Sequence, residues 1–180
     1  MLEIISKKQV DPRTKIWLDE EIDNWNEIGK QIPNAPKTDA DLPSIDRCKE
    51  QIREAKNPKD RSIIKAGWEL FGPQQTYDQT TVITAMSGVD GMCRPLGYQA
   101  FVFVGEQFAG TLSPKPMNSR QDGDIARIFI NSADRLLVEY KRYISGDPLC
   151  CPSSTSQVLF NIEPKDAQPI LVPAQIISEE

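Results

Sequence analysis

The sequence predicts an α+β protein: an antiparallel β-meander of about seven or eight strands, packed as a curved sheet or partly open barrel, with N-terminal helices. Three observations carry this. Apolar residues recur at helical spacing only early in the chain, and from about Ile63 they recur with a period of two. The connections after residue 60 are too short for the crossover helices of a parallel sheet.

Taken in order, residues 13–32 place Ile16, Ile22, Trp25, Ile28 and Ile32 at roughly helical spacing, with Asp19, Glu20, Asp23 and Glu27 between them. Pro12 suits a first turn and Pro33 ends the run. A linker rich in Pro and Asp follows over 33–42, containing Pro36, with Pro43 just beyond it. Ser44 then caps a second helix, Ile45 to Lys56, which stops before Pro58. Residues 1–58 are thus expected as a helical extension with a Pro-rich linker, 59–175 as the β-rich domain and 176–180 as a frayed tail.

Strands are expected from Ile63 to Leu70 and Thr80 to Met86, with Gly72-Pro73 as punctuation. Tyr98 to Val104 and Gln107 to Leu112 flank Gly105-Glu106, the clearest hairpin. Ile125 to Ile130 and Leu136 to Tyr143 flank Asn131-Ser132-Ala133-Asp134, a second one. Val158, Phe160 and Ile162 alternate with Gln157, Leu159 and Asn161 in a later strand. Ile170 to Val172, held between Pro169 and Pro173, suits only an edge or terminal strand. Trp17, Trp25 and Trp68 read as core anchors rather than stacking platforms.

Composition narrows the chemistry. Of 180 residues, 39% are hydrophobic and 26% charged, which places the chain outside the disordered and membrane-spanning classes. A net charge of −5 argues against nucleic acid as a partner, because binding the phosphate backbone requires clustered Lys and Arg. There is no histidine, so Ser-His-Asp and Cys-His catalysis, His-metal sites and imidazole proton transfer are all excluded.

The four cysteines, Cys48, Cys93, Cys150 and Cys151, contain no C-x-x-C pair, so no metal site is expected. Two disulfides suit them better. Because a bridge between neighbours strains the peptide bond between them, Cys150 and Cys151 are expected to take different partners, Cys48 and Cys93 in either order. Disulfides imply an oxidising compartment. The N-terminal Met-Leu-Glu-Ile-Ile-Ser-Lys-Lys has no apolar signal core. An exported protein with this sequence is therefore expected as a mature or trimmed form, its signal and any lipid anchor missing, and such an anchor is the only membrane attachment expected.

Two loops gather candidate binding residues. Ser87 to Pro95 holds Asp90 and Arg94; Leu112 to Gly123 holds Ser119, Arg120 and Asp122. Arg presents a planar fork to carboxylate or phosphate, and Gly lets a ligand approach the backbone. The plainer reading is structural, with each Arg bracing its connection through an Asp. Ser87 and Ser119 have no neighbouring base; a Ser–Lys pairing with Lys115 and a carboxylate pair, Asp90 with Asp122, are the available catalytic alternatives. No G-x-S-x-G, Walker or G-x-G-x-x-G pattern occurs, and no cofactor is expected.

Four blocks carry a family resemblance: Gly91 to Phe103, Phe108 to Pro114, Met117 to Gly123 and Asp147 to Ser153. In this order they resemble the LppP/LprE-type lipoprotein domain, especially its cyanobacterial members, over roughly residues 60 to 172. The resemblance implies a bacterial lipoprotein or secreted protein facing the periplasm or cell exterior, with no catalytic residues to carry over. The expectation is a non-enzymatic envelope module that binds an unidentified protein or small ligand. The alternatives are an enzyme using the carboxylate pair and a structural subunit of a larger assembly.

Overall fold

Two antiparallel meanders, lying against each other across one apolar layer, make up most of the chain in the computed structural model, which describes residues 17–38 and 43–179. The first sheet contains β1 (Glu69–Tyr77), β2 (Thr80–Val89), β3 (Pro95–Val104) and β4 (Gln107–Thr111), ordered as in the chain, with the two-residue β5 (Met117–Asn118) also on β3. The second contains β6 (Ile125–Ser132), β7 (Arg135–Arg142), β8 (Ser154–Lys165) and β9 (Gln168–Glu179), again in chain order. The expected single curved sheet or partly open barrel is therefore two open sheets. The break falls at the 112–124 connection, where the chain leaves the first sheet for the second.

Period-two patterning explains why the layers form. In β2, Val82 and Met86 join the inter-sheet core while Ile83 and Ala85 face the other way; in β3, Ala100 and Val102 alternate with Phe101 and Phe103. The second sheet sends Leu136, Val138, Tyr140, Val158, Phe160 and Leu171 inward. Buried tyrosines tie the layers: Tyr98 donates to Gly123 O (3.0 Å) and Tyr140 to Leu112 O (2.5 Å). Each hydroxyl thus finds a carbonyl acceptor, as buried polar groups require.

Both expected hairpins form. Val104 pairs with Gln107 across Gly105-Glu106, and the second turn tightens to Ala133-Asp134, with Ser132 opposite Arg135. Ile170 to Val172 belongs to the last strand of its sheet, as expected. The tail does not fray over the described residues, since Ile176 pairs with Val158 and Ile177 with Gln157.

The helical expectations need correction. Residues 13–16 lie outside the described residues, as do 39–42 of the linker. The rest of the 13–32 segment is not a helix: a 3-10 turn at Trp17–Asp19 gives way to irregular chain. The reason is that its apolar residues serve two different cores. Trp17, Leu18 and Trp25 pack into the inter-sheet layer, whereas Ile32 and Ala35 pack on the opposite face of the first sheet. A straight helix presents one stripe and cannot reach both. Asn26 fastens the segment to β4, donating to Thr111 O (3.1 Å) and accepting from Thr111 N (2.9 Å).

The second helix is a 3-10 segment, Ile45–Gln51, capped by Ser44 as expected but interrupted at Cys48. Pro58 starts a helix rather than stopping one. Asn57 caps α1 (Pro58–Lys65), and its side chain accepts from Asp60 N at 2.9 Å. The expected strand from Ile63 is accordingly helix up to Lys65, and β1 begins at Glu69. Ile63 of α1 and Trp68 are buried on the outer face of the first sheet, where Trp68 donates to Pro33 O at 2.7 Å. Gly72-Pro73 does not end β1. It makes a bulge within this edge strand, where the missing Pro N–H breaks no ladder.

Candidate functional site

Asp90 closes the turn between β2 and β3 and is 2% exposed. Its Oδ1 accepts from Met92 N (2.8 Å) and Arg94 N (2.9 Å), and its Oδ2 from Arg94 Nε (2.8 Å) and Arg120 Nε (3.2 Å). Burial pushes this carboxyl up, but the Arg94 backbone and guanidinium donors together with the Met92 N–H outweigh it and hold the group below the ordinary carboxylate range. An acid so held is a permanent anion at neutral pH and a poor proton shuttle.

The structure brings Asp90, Arg94, Arg120 and Ser119 together. Both guanidiniums meet on one carboxylate: Arg94 pairs within its own loop as expected, and Arg120 reaches across from the other loop. Arg94 also donates from Nη1 to Leu149 O (2.9 Å), and the Tyr143 hydroxyl lies between Leu149 O (2.5 Å) and Ser119 O (2.9 Å). Three loops are thereby locked to each other. Ser119 is 1% exposed and donates to Pro95 O (2.8 Å), while Ser87 donates to Leu96 O (3.2 Å), so both hydroxyls are engaged by backbone carbonyls.

Asp122 makes no hydrogen bond or ion pair with Asp90, Arg94 or Arg120 among the described residues. Its carboxylate caps its own turn, accepting from Asn118 N at 2.8 Å. Gly123 then passes close to β7: a Cβ there would lie 1.8 Å from Lys141 O, at a φ of +79°, so only glycine fits. Burial raises the Asp122 carboxyl, offset only in part by the Asn118 N–H. The folded protein then binds this proton more tightly than the unfolded chain, so the ionised group opposes folding, and the opposition fades as pH falls through the raised value. Asp122→Asn, which keeps an acceptor for Asn118 N–H, is expected to raise the melting temperature at pH 7, with the gain shrinking in acid. A lower melting temperature at pH 7, unchanged across the acid range, would contradict this.

The sulfur pairing differs from expectation. Cys48 bonds Cys93, with Cα atoms 5.6 Å apart, and Cys150 bonds its neighbour Cys151. Cys48 is buried in the inter-sheet core and Cys93 packs beside it, which leaves the exposed pair on the 144–153 loop only each other. Among the described residues no group of three or more Cys, Asp or Glu is placed to hold a metal ion, and no helix is long and apolar enough to cross a membrane.

Beside this cluster a groove of about 650 Å³ opens between the 36–38 segment, the paired ends of β2 and β3, and the 115–121 loop. Lys37, Lys115 and Arg120 line it, with no carboxylate among the described lining residues. Of these, sequence reasoning singled out Arg120 as a binding residue and Lys115 only as a base. Lys37 was missed, because it sits in a linker and only folding brings it to β2, where Thr38 Oγ1 donates to Ser87 O at 2.9 Å. Gly97 makes the approach possible: a Cβ there would lie 2.3 Å from Ser87 Oγ and 3.2 Å from Pro36 Cγ.

Compared with known proteins, residues 75–165 match the sequence model of the LppP/LprE lipoprotein family, a span running from β1 into β8. No curated protein and no solved structure matches the chain.

Proposed function

The chain belongs to the LppP/LprE lipoprotein family, and on that premise we propose that it is a non-catalytic binding module of the cell envelope whose ligand sits in the groove between residues 36–38, β3 and the 115–121 loop. Membership of a lipoprotein family points to an envelope-associated protein, and the Cys48–Cys93 disulfide supports the side of the membrane outside the reducing cytosol. The groove carries the binding part of the reading. Its volume falls within the roughly 300–1,000 Å³ typical of small-molecule sites. The non-catalytic part is supported by Asp90, whose oxygens are taken up by four donors.

The test is a thermal-shift screen of the full chain against fractionated envelope extract, run in parallel with Gln121→Trp. Gln121 is exposed on the groove wall, so the indole fills the groove without removing core packing. A ligand at ~100 times its Kd adds about 2.7 kcal/mol, a melting shift of roughly 5–11 °C for a domain of this size. The active fraction is expected to shift the wild type and not the variant. Equal shifts in both would place the ligand elsewhere, and conversion of the ligand to a product would make the protein an enzyme.

A further inference from the structure

We propose that the groove is a phosphoryl-binding site, taking a phosphomonoester attached to a larger organic body; this rests on the groove being the ligand site. The protein is acidic, with a net charge of −5, yet Lys37, Lys115 and Arg120 line this concavity with no carboxylate among its described lining residues. A carboxylate ligand would neutralise one of the three cations. A phosphomonoester carries about −1.5 to −2 at pH 7 and three strong acceptor oxygens, which suits them better.

Each cation is mounted on backbone that is already held. Asp90 takes Arg120 by Nε alone, so its two terminal nitrogens have no partner among the described residues. Fixed this way, a guanidinium offers its fork to phosphate at little further entropic cost. Lys115 sits between Pro114 and Pro116, whose rings fix φ on either side, and its carbonyl lies 2.8 Å from Ser113 Oγ. Lys37 is set between Pro36, packed over Gly97, and the anchored Thr38. Asn118 and Gln121 add side-chain amides to the wall. The volume exceeds what a lone phosphate fills, and Pro36, Leu96 and Pro116 give the rest of the ligand an apolar surface.

The experiment is titration calorimetry of the full chain with sn-glycerol 3-phosphate, with glycerol as the uncharged control. A sedimentation arm uses vesicles of phosphatidylcholine with and without phosphatidic acid. Both arms are repeated with the Lys37→Ala/Lys115→Ala variant, in which both replaced side chains are exposed. Binding of a phosphomonoester that weakens at least about tenfold in the variant is the expected result. Binding of the soluble ester alone assigns a free metabolite or glycan phosphate, and binding of the vesicles alone a lipid headgroup. Failure of both ligands to bind, or binding indifferent to the two lysines, overturns the proposal. An envelope fraction whose effect is lost in Gln121→Trp but kept in the lysine variant would overturn the phosphoryl assignment and leave the groove standing. Indifference to both variants removes both readings.

Discussion

Replacing both Cys48 and Cys93 by Ser is expected to cost about 4 kcal/mol of unfolding free energy, by the loop-entropy relation for a closure of this length. The bridge spans a sequence separation of 45 residues, and Cys48 is 5% exposed in the inter-sheet core. It joins the irregular N-terminal part of the chain to the β2–β3 turn, so its loss mainly releases the unfolded chain rather than removing native contacts. The same reasoning predicts almost nothing for Cys150→Ser/Cys151→Ser. A bridge between neighbours closes a ring with no intervening residues, and the pair is exposed, so the change should stay within about 0.5 kcal/mol. Urea unfolding of both double variants measures this directly. Similar losses in the two, or a loss below about 1 kcal/mol for the Cys48 and Cys93 pair, would show that the long bridge is not constraining the unfolded state.

Asp90→Ala is expected to destabilise by about 3–5 kcal/mol, the range for breaking a buried ion pair from one side. Four donors converge on that carboxylate, and removing it leaves the Met92 and Arg94 N–H groups and the Arg94 guanidinium without their acceptor. Arg120 should suffer least, because its side chain is 48% exposed and can hydrate. Asp90→Asn should recover part of the loss, since its carbonyl still serves the backbone donors while its amide faces a guanidinium. The sign of the pH effect follows from the lowered carboxyls of Asp90 and Asp60. Burial alone would raise the Asp60 group, and the Arg53 fork and the Lys56 N–H more than reverse it. For both, the stability is fully present above the unfolded value of about 3.9 and is lost as pH falls through the lower folded value. Acid unfolding of the wild type should therefore be steeper than that of Asp90→Asn. Parallel acid curves for the two would mean that the Asp90 carboxyl is not held down by its partners.

Legibility along the chain followed how local each cause was. The alternation of Val82 with Ile83, or of Leu136 with Leu137, is a local consequence of the pleat, and these strands could be read directly. The same holds for the Gly105-Glu106 turn and for Ser44 as a cap. Pro58 misled because proline both ends helices and opens them, and only Asn57 in the capping position distinguishes the two. The segment around Trp25 misled because helical spacing was present without a single face to bury. At the candidate site, Asp90, Arg94, Ser119 and Arg120 were visible as loop residues. That one carboxylate would gather both guanidiniums, and that Asp122 would turn to its own Asn118 N–H, were not.

The sheet-rich class, the hairpins, the absence of imidazole chemistry and the family all follow from residue type or near-neighbour pattern. The division of the strands into two sheets, the Cys48–Cys93 bond, and the gathering of Lys37, Lys115 and Arg120 around a groove are set by long-range packing. These depend on which distant segments share a core, and the local backbone preferences of the intervening residues do not encode that choice.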